Sequence, residues 1–227
     1  MKKIAALIAL AGLTAAVNAG NGQIDILVRN VTAGGAASNS VSGVAGQTIE
    51  VQVWYKWGNP TGFTGLGVAT VVHNLTSDDF SSSNTMFDEG DYRAGQFNFG
   101  AQTQKAFRVG DTLRIADSLN TGNDTLGGIS VKQAAPKSAG ASFDASNPAM
   151  GYAFTFVIGA GQSTDIHFDA ASAYINSYRV YTSATTTTGT PKDLPFDATD
   201  GATVVIPAPA SLALLGLGGL VVGRRRR

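Results

Sequence analysis

The sequence predicts an all-β fold, an antiparallel β-sandwich or jelly roll of about nine strands, and three observations carry that prediction. Apolar and polar residues alternate with period two in a series of short runs. Between residues 20 and 206 no stretch sustains the 3.6-residue period of an amphipathic helix. The chain holds 28 glycines, many of them between the runs, where they suit tight turns.

The runs follow one another in order. "QIDILVRNV" (23–31) is the first. In "QTIEVQVWYKW" (47–57), Ile49, Val51, Val53, Tyr55 and Trp57 share one face, and Glu50, Gln52, Trp54 and Lys56 share the other. Asn59–Gly62, "NPTG", then supplies turn chemistry. "LGVATVVHNL", "DTLRIA" and "GGISVK" come next. "MGYAFTFVIG" (150–159) puts Tyr152, Phe154, Phe156 and Ile158 on one side, and "TDIHFDA" (164–170) turns Ile166 and Phe168 inward. "AYINSYRVYT" and "ATVVI" complete the set, with the polar "TSATTTTGTP" between them read as a long loop.

The two ends differ from this body. Lys2 and Lys3, an apolar run from Ile4 to Leu13 and a small-x-small sequence ending at Ala19 form a secretory signal peptide over 1–19, cleaved after Ala19. Export in turn makes the absence of cysteine informative, because stability then comes from the core and not from disulfides. Residues 20–206 suffice for one sandwich domain. Six of the 16 basic residues, Lys2, Lys3 and Arg224–Arg227, lie in the two ends, which hold no acidic residue; the body keeps ten basic against 16 acidic. An acidic body excludes nucleic acid as the expected partner.

At the other end stands "PAPASLALLGLGGLVVGRRRR", residues 207–227. Pro207 and Pro209 mark the entrance of a helix, Ala210–Gly223 gives about 21 Å of uncharged span, and Arg224, Arg225, Arg226 and Arg227 favour the cytoplasmic side. A bilayer wants roughly 20 residues, so this hydrophobic helix suits a transient stop in the inner membrane. The order Pro-x-Pro, short apolar span and arginine cluster resembles the PEP-CTERM sorting signal, with Ala208 standing where that family usually has glutamate. The resemblance implies an exosortase as partner, removal of the tail, and a final place at the cell surface or in the extracellular matrix. A second resemblance concerns the body: "GQTIEVQVWYKW", "GYAFTFVIGAGQSTDIHFDAASAYI" and "GATVVIP" are similar to strands of cohesin-like and carbohydrate-binding-module-like sandwiches. It implies a binding or scaffolding module.

Catalytic residue types are scarce. His73 and His167 are the only imidazoles, and nucleophile-elbow, zinc-protease and phosphate-loop motifs are missing. Asp78-Asp79 and Asp88-Glu89 are adjacent pairs, which on a strand point to opposite faces and make poor acid–base partners. The sequence therefore predicts no enzyme and no catalytic residue. It asks for no cofactor either, with calcium the one exception the pattern allows. Asp165, His167 and Asp169 alternate on one strand face, about 7 Å apart, and Asp88, Glu89 and Asp91 surround Gly90 in an acidic turn. In both places the simpler expectation is a solvated surface. Trp54 is the candidate ligand-binding residue: on the polar face of its strand it offers a flat ring to a sugar, beside groups able to bond hydroxyls. The competing expectation packs it under a loop. Together these observations point to an exported, non-catalytic module that binds or structures extracellular polysaccharide; the alternative is a secreted hydrolase using loop carboxylates on matrix glycans.

Overall fold

The computed structural model describes residues 20–59, 64–86, 97, 105–116, 119–120, 125–126, 129–139, 142–172, 178–183, 191–196 and 200–208. Their strands, in chain order, are β1 (Gly22–Asn30), β2 (Ser40–Ser42), β3 (Thr48–Trp57), β4 (Gly67–Ser77), β5 (Thr85–Met86), β6 (Lys105–Val109), β7 (Thr112–Ala116), β8 (Leu119–Asn120) and β9 (Thr125–Leu126). They continue with β10 (Ile129–Lys132), β11 (Ala149–Val157), β12 (Ile166–Ser172), β13 (Tyr178–Tyr181), β14 (Pro191–Leu194) and β15 (Ala202–Val205). A single helical turn, α1 (Pro136–Ala139), stands between β10 and β11. The nine alternating runs became β1, β3, β4, β7, β10, β11, β12, β13 and β15. Of the other six strands, β2, β5, β8 and β9 have two or three residues, too few to display a period, and β14 opens on a proline.

Two sheets form the sandwich. One has the order β1-β3-β11-β5. The larger has the path β14-β13-β4-β12-β15-β2, with β10 and β7 also on β4 and β6 on β7, while β8 and β9 pair separately. Among the described strands every ladder is antiparallel except β15 with β2. Strand β4 organises the larger sheet through its length: Val71 is flanked by β10 and β13, and Leu75 by β12 and β7.

The core forms where the alternation places it. Ile49, Val51, Val53 and Tyr55 are fully buried, as are Ile24, Ile26 and Val28 from β1, and Trp57 is 4% exposed. From the other layer come Val68, Val71, Leu75, Ile166, Phe168, Val180 and Val204. Phe80, Phe154, Phe156 and Phe168 interlock edge to face or tilted, with centroids 4.9–6.3 Å apart. Each such side chain contributes about 1.5–3 kcal/mol by leaving water, which is how a chain with no cysteine holds together.

One irregularity has a clear cause. The register of β11 on β3 slips between Met150 and Tyr152, leaving Gly151 as a bulge. The Tyr55 ring occupies the space where a Cβ at 151 would sit, 2.2 Å from its nearest carbon. Glycine is required there by packing.

Candidate functional site

Three connections meet at one end of the sandwich: the segment 78–84 after β4, the β6–β7 turn at Asp111, and the segment 158–165 between β11 and β12. Between them lies a cleft of about 250 Å³, lined by Asp78, Asp79, Ser81, Asp111, Ser163 and Thr164 among others. Its walls are tied together by buried amides. The Gln162 Oε1 accepts from the Ser81 backbone N–H (2.9 Å) and from Asn84 Nδ2 (2.9 Å). Gln162 Nε2 donates to the carbonyls of Asp79 (2.9 Å) and Thr164 (2.7 Å). Asn84 Oδ1 in turn accepts from the Gly159 N–H at 2.8 Å. Gly159 passes so close that a Cβ there would lie 2.1 Å from the Ser83 carbonyl oxygen. Arg108 closes the loop from behind, donating to the Asn84 and Ser81 carbonyls (2.7 Å each), its guanidinium 5.1 Å from the Phe80 ring centroid. Asp111 accepts the Ser82 N–H on Oδ1 (3.1 Å) and the Phe80 N–H on its carbonyl (2.7 Å).

The cleft is polar and net acidic. Asp78 is ion-paired with Arg114, and Asp79 Oδ2 lies 3.0 Å from His167 Nδ1. Three carboxylates thus face one guanidinium and one exposed imidazole. Hydroxyl-bearing ligands match such a lining, since carboxylate and hydroxyl oxygens accept what sugar hydroxyls donate. Asp78 and Asp79 share the cleft because they sit beyond the end of β4, where strand alternation no longer separates neighbours. That corrects the expectation that the pair would point to opposite faces.

The other candidates disperse. Asp165 Oδ1 accepts the Ile206 N–H (2.7 Å), His167 is held by Asp79, and Asp169 lies against Gly201. Among the described residues, no group of three Asp, Glu or His side chains can hold a metal ion. Asp88, Glu89 and Asp91 lie outside the described residues, as do Ala19, Pro209 and Arg224–Arg227. Pro207 and the exposed Ala208 follow directly on β15. Among the described residues no helix is long and apolar enough to cross a membrane, and the expected span Ala210–Gly223 lies outside them.

Trp54 is half-buried on the outer face of the smaller sheet, its Nε1 donating to Gln52 Oε1 at 3.1 Å. Arg29 pairs with Glu50 on the same face. Gln52 and Leu27, also on that face, are 7% and 1% exposed, so Trp54 presents part of a ring beside covered neighbours.

His73 is sealed inside. Its ring stacks on Tyr152 with centroids 5.7 Å apart, Nδ1–H donates to the Asn74 carbonyl (3.2 Å), and Nε2 accepts from the Tyr55 hydroxyl (2.9 Å). Burial lowers its pKa to about 4 and raises that of Tyr55. An imidazole with no exposed surface meets no substrate. Of the cleft, sequence reasoning noticed Asp78, Asp79 and His167; Asp111, Asn84 and Gln162 lie in separate connections and carry no local pattern.

No family model matches the chain, and no curated protein matches it. Its neighbours among solved structures are cohesin domains. The solution structure of CaCohA2 from Clostridium acetobutylicum shares 14% identity at TM-score 0.42, over 82% of this chain and 92% of that one. The sixth cohesin of scaffoldin B from Acetivibrio cellulolyticus, in complex with a Cel5 dockerin mutant, shares 12% at TM-score 0.42, over 84% and 100%. The non-cellulosomal cohesin of the archaeon Archaeoglobus fulgidus shares 11% at TM-score 0.38, over 85% and 96%. A TM-score below 0.5 at this identity transfers neither partner nor activity.

Proposed function

We propose that the chain is an exported, non-catalytic β-sandwich protein that binds or structures extracellular polysaccharide at the cell surface or in the matrix. The observation that carries the binding is the cleft at the loop end. It is large enough for a sugar unit, lined by oxygen acceptors and braced by Gln162 and Asn84. Preorganised walls spare a ligand the cost of ordering them. The accessible part of Trp54, between Glu50 and Lys56, supplies a second contact for a longer chain. Export rests on residues 1–19, and processing by an exosortase on Pro207, Ala208, Pro209 and the terminal arginines, with a transient membrane stop before release.

Binding without turnover is supported by how the cleft groups are engaged. Asp78 and Asp79 are each tied to a basic side chain. The test uses mature protein recovered from its native host. Its intact mass should lack residues 1–19 and the tail beyond the Pro-x-Pro sequence. In affinity gels cast with the host's matrix polysaccharide its migration should be retarded, and Asp79→Asn should relieve the retardation. A mature chain ending at Arg227 would remove the sorting half of the proposal. Unretarded migration would remove the binding half, and release of new reducing ends would favour the hydrolase.

A further inference from the structure

On the outer face of the smaller sheet, β1 and β3 bring an amine and a carboxyl group together out of water. Asp25 pairs with Trp54 across the strands and Gln23 with Lys56, so Asp25 and Lys56 are diagonal neighbours on one face. Lys56 Nζ lies 3.7 Å from Asp25 Oδ2, and the two side chains are 13% and 2% exposed. That separation is van der Waals contact, longer than a hydrogen bond. Neither oxygen of Asp25 has a hydrogen-bond partner. A third polar group stands beside them. Asp200 is bridged to Asp25 through the backbone, Ile26 N–H to Asp200 carbonyl at 2.9 Å, and its Oδ2 accepts from Gln23 Nε2 at 3.1 Å.

A buried carboxyl with no donor is an expensive arrangement for an ion pair. Charges taken from water are recovered only when good geometry and further hydrogen bonds satisfy them, and the Asp25 carboxylate has neither. The same placement is productive for a different end state, in which neither charge survives. We propose that Lys56 and Asp25 condense spontaneously to an intramolecular amide, with Asp200 as the proton carrier.

The step balances. The ammonium first gives one proton to the Asp25 carboxylate, leaving a neutral amine against a neutral acid. Burial already raises the Asp25 pKa, and the Asp200 charge adds to this against the opposing pull of Lys56. Nζ attacks Cγ and the C–N bond forms. Asp200 accepts a proton from the new nitrogen and passes it to the departing hydroxyl, the C–O bond breaks, and water leaves. One ammonium and one carboxylate become one amide and one water, with no oxidant, reductant or cofactor. In bulk water the reverse reaction is favoured; the buried site inverts the balance by removing the solvation of the ions and letting the product water escape. Proximity supplies the rate, as in other intramolecular reactions of held groups. The product joins β1 to β3 covalently in a chain that has no cysteine.

Mass spectrometry of the full chain, expressed and folded at neutral pH, decides the matter. The expected result is a protein about one water lighter than its sequence and, after digestion, a branched peptide joining the segment of Asp25 to that of Lys56. Lys56→Arg should restore the full mass and two linear peptides. Asp200→Asn should keep the wild-type circular dichroism and slow closure at least tenfold. Linear peptides carrying unmodified Asp25 and Lys56, from wild-type protein that is folded by circular dichroism, would overturn the proposal. Water loss that persists in Lys56→Arg would do the same, because it would lie elsewhere.

Discussion

His73 gives the fold one source of sensitivity to acid. Its folded pKa of about 4 lies below the 6.5 of an unfolded chain, so within that window the unfolded state binds a proton that the folded state refuses. Stability from this group is complete above pH 6.5 and drains as the pH falls towards 4, with a total of about 3 kcal/mol. Urea midpoints between pH 7 and 4.5 should fall more steeply in wild type than in His73→Gln, and parallel curves would contradict the assignment. Gln162 acts locally. Gln162→Ala strands the Ser81 N–H and the Asn84 amide, at about 1–3 kcal/mol for each group left unpaired and buried. Calorimetry should show a lower melting temperature, and polysaccharide retardation should weaken with it.

At the scale of elements, the bulge in β11 is a constraint that a substitution can expose. Gly151→Val would drive a side chain into the Tyr55 ring and cost about 1–3 kcal/mol or more, read as a lower denaturant midpoint with an unchanged m-value. The strands also show what a sequence can carry. Runs such as 47–57 and 150–159 announce both their existence and their inward faces, because burial on one side of a pleat writes period two directly into the residues. Ser40–Ser42 and Thr85–Met86 write nothing, since two or three residues hold no period. The bulge at Gly151 and the burial of Gln52 and Leu27 on the outer face depend on neighbours far along the chain. The cleft is the extreme case: Asp79, Asp111 and Gln162 come from three connections, and only the closed sandwich brings them together. Trp54 was legible as a position on a face, while its half-covered state was not.

At the scale of the molecule, β1 is joined to the segment that leads into β15. Gly22 bridges Phe196 and Asp25 bridges Asp200, both in parallel, and the Gly22 N–H donates to the Pro195 carbonyl at 2.8 Å. The chain therefore enters β1 at one pole and leaves β15 towards the opposite pole, where Pro207 follows. A body held through its C-terminus and tugged at its N-terminal end would feel tension along these strands, straining the bridges together in shear instead of opening them one after another. Resistance to such tension is set by the unfolding rate and not by equilibrium stability. Because cysteine is absent, handles introduced at residues 21 and 206, or at 21 and 195, would be unique attachment points. The first pair, spanning both poles, should rupture at higher force than the second, which peels from one pole. Chain direction at the two ends would then set how tough the fold is under pull.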